Sequence, residues 1–210
     1  LPEITFIGRA DNLTVWHLLT HTSGIGEAPT LDWFLDPISS LFSDNPQNLP
    51  FARQYPDGIE IEQIPGTHWH YQNHGFALLG EIVARAEETS VADALKHHIF
   101  EPLDMTDSDA LDKPHERLST PYHRTPTHDE LDILETQGKE RSHESTVDGT
   151  NIRGPYKYVT PLGAGEVQAS LEDMGKYGRA LLNQGGGLLD RVTFQTMTDR
   201  HYGSDQRLLS

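Results

Sequence analysis

The sequence predicts a mostly helical domain with few strands, and three features of the chain support this. Between residues 75 and 88, apolar side chains recur at helical spacing. Ser90 with Asp93, and Ser170 with Asp173, have the spacing of a capping box, which marks the first turn of a helix. At 210 residues, the chain is long enough to bury a core as a single domain.

The N-terminal half contains three predicted helices and a loop. Thr14 is a suitable N-cap for a short helix that carries Trp16, Leu18 and Leu19 on its buried side, and Gly24 suits the left-handed turn that ends it. A second helix is predicted to start near Thr30, with Trp33 and Phe34 in the core. Residues 44–66, rich in proline, asparagine and glycine, are typical of a loop. The third helix covers residues 75–88, and its apolar residues are Phe76, Leu79, Ile82, Val83 and Ala86.

The remaining helices are predicted over residues 91–98, 171–183 and 192–197. Between them, residues 106–162 are polar and show no sustained period. Long stretches of this kind are often substrate-facing excursions or disordered segments. We therefore expect residues 125–152 to form an excursion with irregular or mobile structure.

Composition excludes several classes of partner. The net charge is −16, and an acidic surface repels nucleic acid and anionic lipid. No apolar run approaches the roughly 18 residues of a membrane-spanning helix. Cysteine is absent, which excludes disulfides and zinc-thiolate sites and leaves the compartment open.

Four segments, in order along the chain, carry a family resemblance. They are Leu18-Leu19-Thr20-His21-Thr22-Ser23-Gly24, then Pro65-Gly66 with Tyr71-Gln72-Asn73, then Ile99 to Met105, and finally Gly163 to Leu182. Together they resemble the serine β-lactamase and penicillin-binding-protein superfamily, in its class C, carboxypeptidase and esterase branch. The matches depart from the family pattern at Asp104 and Glu166, where glycine is usual.

This resemblance implies an α+β, β-lactamase/transpeptidase-like fold, of which the chain would supply mostly the helical portion. The domain (1–210) would be incomplete, with a helical region at 1–105 that includes the Tyr-x-Asn loop, a polar excursion at 106–162 and a helical segment at 163–210. Leu118 to Tyr122 resembles the family's brief strand leaving the excursion.

The resemblance also implies two catalytic residues, Tyr71 and Asn73. A serine that attacks a carbonyl must lose its proton, and the leaving group must gain one. In the family, the tyrosine of the Tyr-x-Asn element carries that proton, and the asparagine orients lysine and substrate. The alternatives are a loop tyrosine that packs its ring and an asparagine that caps the following helix.

The family's nucleophile, in a Ser-x-x-Lys element, is absent: none of the five lysines has serine three residues before it. No Lys-Thr-Gly is present, and we interpret His201-Tyr202-Gly203 as a chance match to His-x-Gly. The nucleophile is therefore expected outside this chain, which alone would be inactive. The whole protein would act on a β-lactam, a D-amino-acid peptide or a small ester, or be a non-catalytic binding protein of the same fold.

Two other site hypotheses are weaker. Ser23 follows a histidine at i+2, but the hydroxyls of this turn are better explained as partners for carbonyls of the preceding helix. His68, His70 and His74, or His17 with His21, could in principle hold zinc, although we favour cleft-rim roles for the first three. No metal or other cofactor is predicted. The sequence does not indicate the oligomeric state, and a periplasmic or secreted location is implied only by the resemblance.

Overall fold

The computed structural model describes residues 1, 4–26, 57–110, 119, 122–124, 147–148, 151–153, 163–165, 167–202 and 208–209. The chain divides into two compact units. The first contains residues 1–26, 55–111 and 161–210, and the second contains residues 27–54 and 112–160. The helix predicted to start near Thr30, with Trp33 and Phe34, lies outside the described residues.

The first unit begins with a parallel pair of short strands, β1 (Phe6–Gly8) and β2 (Ile59–Ile61), in which Phe6 lies opposite Ile59. A 3₁₀ turn at Ala10–Asn12 leads into helix α1 (Val15–Leu19). The prediction of a loop over residues 44–66 is wrong at β2. Ile59 and Ile61 are buried and Glu60 between them is exposed, a period-2 pattern too short to distinguish from a loop by sequence alone.

The other helices of this unit agree with the sequence prediction to within a few residues, apart from a π-helical turn. They are α2 (Asn73–Ala86), α3 (Val91–Leu95), α4 (Leu171–Leu182) and α5 (Arg191–Thr198), and α3 continues into a π-helical turn at Lys96–Phe100. The predicted caps are present. The Ser90 hydroxyl accepts from the Asp93 N–H at 3.0 Å, and the Ser170 hydroxyl accepts from the Asp173 N–H at 3.1 Å. No helix among the described residues is both long and apolar enough to span a bilayer.

Helix α2 buries a different face from the one that its large apolar residues predict. Its most buried apolar side chains are Ala77 and Leu78, while Val83 is 43% exposed. Phe76, Leu79 and Val83 instead line an apolar cavity of about 670 Å³ between α2, α3, residues 163–165 and Val167. At Gly163, with φ +117°, a Cβ atom would lie 2.7 Å from the Phe76 carbonyl oxygen, so only glycine allows this approach to α2.

Short strands complete the fold. In the first unit, β3 (Ser108–Asp109) pairs antiparallel with β7 (Gln168–Ala169), and β8 (His201–Tyr202) with β9 (Leu208–Leu209). In the second unit, β4 (Tyr122–Arg124), β5 (Val147–Asp148) and β6 (Asn151–Arg153) form an antiparallel sheet in the order β4-β6-β5. The prediction of irregular structure over residues 125–152 is therefore wrong where β5 pairs with β6.

A buried carboxylate, which we call the Asp173 anchor, ties α4 to the start of β3. Asp173 accepts from the Asp107 N–H at 2.7 Å, from the Ser108 hydroxyl at 2.9 Å and from the Lys176 ammonium at 3.0 Å. Although its own burial would raise the pKa of Asp173, these hydrogen bonds with Lys176, Ser108 and Asp107 outweigh it and hold that pKa below its ordinary value. Tyr177 of the same helix packs against a small core of Phe100, Met105 and Ala110.

Candidate active site

Tyr71 lies in the loop immediately before α2, two residues ahead of the first helical residue. Its side chain is 58% exposed, whereas the next residue, Gln72, is 4% exposed and is the N-cap of the helix. The exposed phenol is therefore carried by a backbone segment whose following residue is fixed in the interior. The ring is not enclosed in the interior, but it packs on one side against the imidazole of His21, so the interpretation as a packed loop tyrosine stays open.

The segment that faces Tyr71 is the end of α1, and its geometry differs from the sequence prediction. The Thr22 N–H donates to the His17 carbonyl at 2.8 Å and the His21 N–H to the Leu18 carbonyl at 3.3 Å, which is the Schellman pattern. The left-handed residue of this pattern is His21, with φ +56°, so the prediction that Gly24 ends the helix is wrong.

Gly24 has a separate role in the same turn. Its φ is +74°, and a Cβ atom there would lie 2.2 Å from the Gln63 carbonyl oxygen. The close approach brings the turn against the strand end after β2, where the Glu62 N–H donates to the Gly24 carbonyl at 2.8 Å. Glycine is thus required for both its φ angle and its size.

His21 makes three contacts around Tyr71. Its carbonyl accepts from the His70 N–H at 2.8 Å, and its Nδ1 accepts from the Gln72 N–H at 3.1 Å. Its imidazole also lies 4.6 Å from the Tyr71 ring, centroid to centroid, with the planes inclined at 35°. The ring of Phe76, in α2, lies 4.9 Å from the same His21 imidazole, centroid to centroid. Burial among these groups lowers the pKa of His21 below its ordinary value, because desolvation disfavours the charged form.

Gln72 links the same loop to the turn by its side chain. The Gln72 Nε2 donates to the Ile25 carbonyl at 3.0 Å and lies 2.9 Å from the His70 Nδ1. A further backbone bond, from the Gly66 N–H to the Thr22 carbonyl at 2.8 Å, joins the two segments. The loop before α2 is therefore held at several points by the turn after α1.

Asn73 is the first residue of α2 and is half-buried. Because the N-cap of this helix is Gln72, the alternative interpretation of Asn73 as a cap is wrong. Tyr71 and Asn73 thus lie on either side of the buried Gln72, both less buried than it.

Ser23 is only 1% exposed, and its hydroxyl accepts from the Ile25 N–H at 3.3 Å. The Thr22 hydroxyl, also 1% exposed, lies 2.8 Å from the Thr20 hydroxyl. Neither hydroxyl bonds a carbonyl of α1 in these contacts, and it is Thr20 that donates to the Trp16 carbonyl at 2.8 Å. The hydroxyls of Thr22 and Ser23 therefore stabilise the turn itself, which corrects the predicted partners and keeps Ser23 out of reach of a substrate.

The histidine clusters have no metal-binding geometry within the described part of the chain, where no group of three or more His, Cys, Asp or Glu side chains could hold an ion. His74 is 2% exposed in the first turn of α2, so its predicted place at a cleft rim is wrong, whereas His68 and His70 are exposed. His201, part of the doubtful His-x-Gly match, lies in β8 with its ring 5.8 Å from that of Trp16.

Two functional features of this site were missed by sequence reasoning, the contacts of His21 and of Gln72. Both residues stand inside motifs that drew attention for other positions. One sequence signal could have drawn attention to His21. It stands directly after the C-cap of the predicted helix, a position that glycine usually fills.

The chain is similar in sequence to proteins of a known family. A family model described as Beta-lactamase matches residues 2–209. The chain is 30% identical to Esterase EstB of Burkholderia gladioli over 55% of this chain and 30% of that protein. It is 27% identical to Penicillin-binding protein 4* of Bacillus subtilis (strain 168) over 76% of this chain and 35% of that protein. The chain therefore aligns with about a third of the length of each of these curated relatives.

A solved structure gives the same result for the fold. The octameric penicillin-binding protein homologue from Pyrococcus abyssi superposes with a TM-score of 0.65 at 21% identity. The superposition covers 93% of this chain and 41% of that one.

Proposed function

Because this chain belongs to the Beta-lactamase family, we propose that the whole protein is a serine hydrolase that acts through an acyl-enzyme, with Tyr71 as proton carrier. The observation that supports this most directly is the exposed phenol of Tyr71 on a loop that the turn after α1 holds at several points. An accessible hydroxyl on a fixed backbone is what proton transfer to a substrate requires.

The reaction has two halves. A serine oxygen attacks the substrate carbonyl and gives its proton to the phenolate form of Tyr71. An ester forms as the bond to the leaving group breaks, and that group takes the proton from the tyrosine. Water then attacks the ester and gives a proton to Tyr71, which passes it to the serine oxygen as the acid is released. Asn73, which follows Tyr71 by two residues, would orient the substrate through its side-chain donor and acceptor.

The serine and its lysine are proposed to lie in polypeptide outside this sequence. None of the five lysines here has serine three residues earlier. Ser23, in the motif that precedes the Tyr-x-Asn loop, is buried. A lysine beside the phenol would favour the charged form of Tyr71 during the transfer.

The substrate is proposed to be a small molecule or peptide with an ester or amide carbonyl. One relative is named an esterase and another a penicillin-binding protein, so a small ester, a β-lactam and a D-amino-acid peptide are the three classes to test. Hydrolysis of p-nitrophenyl acetate, nitrocefin and a D-alanyl-D-alanine peptide by the whole protein would rank them.

The proposal is tested by Tyr71→Phe in the whole protein. Loss of the phenolic oxygen should lower kcat by on the order of 10²-fold, because proton transfer then has no carrier. Tyr177→Phe is the matched control. Tyr177 lies in α4, packs against the core that contains Phe100, and has no proposed part in the chemistry. Equal rates for Tyr71→Phe and the wild type would remove Tyr71 from the mechanism.

A non-catalytic binding protein of the same fold is the second candidate, favoured by the absence of Ser-x-x-Lys from this chain. The two candidates differ in a cheap observation. The encoding sequence upstream of Leu1 either contains Ser-x-x-Lys within a few tens of residues, as the hydrolase requires, or does not.

A further inference from the structure

His21 occupies a backbone position that favours glycine. It is the left-handed residue of the Schellman pattern after α1, with φ +56°, and a side chain in this conformation carries strain. Since the helix end needs only backbone groups at this position, a histidine there calls for a separate explanation. Its contacts supply one.

The two backbone N–H groups on either side of Tyr71 both donate to His21. The residue before the tyrosine donates to the His21 carbonyl at 2.8 Å, and the residue after it donates to the His21 Nδ1 at 3.1 Å. The third contact is the ring face, 4.6 Å from the phenol ring. One residue thus contacts the Tyr71 segment at its backbone on both sides and at its side chain.

We propose that His21 is a positioning residue for Tyr71, and that it acts in its neutral form with the proton on Nε2. This proposal rests on the proposed function, because a fixed phenol matters only if it carries protons. His21 itself does not touch substrate in this account. It limits the movement of the loop and the tilt of the ring.

The protonation state follows from the hydrogen bond. In a neutral imidazole one nitrogen donates and the other accepts, so an accepting Nδ1 places the proton on Nε2. When the ring is protonated both nitrogens donate, and the bond from the Gln72 N–H is lost. The rings packed around His21 lower its pKa by burial, which preserves the neutral form to lower pH.

Among the described residues, two titratable side chains contact this arrangement. The Tyr71 phenol lies on the imidazole face, and the His70 imidazole bonds the Gln72 side chain at 2.9 Å. The other rings around His21, those of Trp69 and Phe76, do not titrate. His70 is therefore the neighbour whose protonation needs a control.

Three variants of the whole protein separate the contacts. His21→Asn keeps a side-chain acceptor close to the Nδ1 position and tolerates a left-handed backbone, but it loses the ring. His21→Phe keeps a ring and loses the acceptor. His21→Gly loses both and relieves the backbone strain, which offsets the effect on stability.

We expect kcat for p-nitrophenyl acetate to fall by roughly 10- to 100-fold in His21→Gly, with KM within about two-fold, because a small misplacement of a catalytic group is costly. His21→Asn and His21→Phe should each retain part of the activity. Unchanged kcat in folded His21→Gly would overturn the proposal.

The pH profile gives a readout that a purely structural role would not move. Wild-type kcat should fall on the acid side as His21 is protonated, below its ordinary pKa of 6.5. His21→Asn should lose that acid limb, since asparagine does not titrate, and His70→Asn should keep it. An acid limb that disappears with His70 and persists without His21 would contradict the proposal.

A measurement without turnover separates this inference from the proposed function. In the ¹⁵N spectrum of the whole protein at pH 7, His21 should show an unprotonated Nδ1 and a protonated Nε2. If the wild type has no hydrolase activity, the proposed function fails, and the spectrum still tests whether His21 Nδ1 accepts from the Gln72 N–H. A protonated Nδ1 would refute the positioning role of His21 whatever the activity.

Discussion

The turn that carries His21 and the Asp173 anchor both join segments far apart in sequence, but they do so in different ways. The anchor uses one buried carboxylate, and each hydrogen bond it accepts comes from a neighbouring protein group. The His21 turn uses backbone bonds and one imidazole, and it leaves the adjacent Tyr71 phenol 58% exposed. The first arrangement pairs the carboxylate with protein partners, whereas the second leaves Tyr71 largely exposed.

This difference indicates how each region should respond to change. In the anchor, a lost contact leaves a buried polar group without its partner, so stability should fall while chemistry elsewhere is unaffected. In the turn, a lost contact leaves the phenol in place but less well oriented, so activity should be the more sensitive property. The first substitution below tests how tightly the turn is packed, and the later ones separate the two behaviours.

The largest expected effect is that of Gly24→Ala in the turn. A Cβ atom would lie 2.2 Å from the Gln63 carbonyl oxygen, and φ is +74°. The clash and the left-handed strain together should lower the free energy of unfolding by on the order of 3 kcal/mol. Urea unfolding of the whole protein would measure this loss.

Gly165→Ala is the matched control, because a Cβ atom there meets nothing within 4 Å. It should unfold at nearly the wild-type urea concentration. Equal midpoints for Gly24→Ala and Gly165→Ala would show that the turn accommodates a side chain, and the rigidity assigned to it would be wrong.

A smaller effect is expected for Asp173→Asn in the anchor. The amide oxygen can still accept one bond, but the charge that pairs with Lys176 is lost. The thermal midpoint should fall at pH 7 without any change in kcat. A fall in kcat with an unchanged midpoint would be the opposite of this expectation.

The stability difference between wild type and Asp173→Asn should also depend on pH. Because the pKa of Asp173 is held below 3.8 in the folded protein, its stabilisation is fully present above pH 3.8 and is lost as the pH falls through the lower, folded value. The difference in unfolding midpoint between wild type and Asp173→Asn should therefore shrink on going from pH 7 toward pH 2. A constant difference would mean that the carboxylate does not titrate with a lowered pKa.

The helices could be predicted from the sequence because they depend on local patterns. The helices from Leu171 to Leu182 and from Asn73 to Ala86 follow from caps and apolar periodicity, which are properties of neighbouring residues. The packing of Gly163 against α2 joins segments far apart in sequence, so local patterns do not predict it.

The same distinction applies to the site. Tyr71 and Asn73 were identified from a family motif, yet the partner that holds Tyr71 is about fifty residues earlier in sequence. Its imidazole accepts a hydrogen bond from the Gln72 N–H, a contact between distant segments that no local pattern predicts. The Asp173 contacts with Asp107 and Ser108 were missed for this reason too, since the Ser170 spacing predicted only a cap.

The smallest effects are expected from the two helix caps, and they compare the regions most directly. Thr14 caps α1, whose C-cap directly precedes His21, and Ser170 caps α4, which carries Asp173. Replacing either residue by alanine should lower the free energy of unfolding by about 1 kcal/mol, because each loses one capping bond. Only Thr14→Ala should also lower kcat, by roughly two- to five-fold, since fraying of α1 loosens the residue that orients Tyr71. Stopped-flow turnover and urea unfolding of both variants would measure the two quantities together. If Ser170→Ala lowered kcat as much as Thr14→Ala, then α1 would have no special link to the phenol, and the two regions would not differ in the way their contacts suggest.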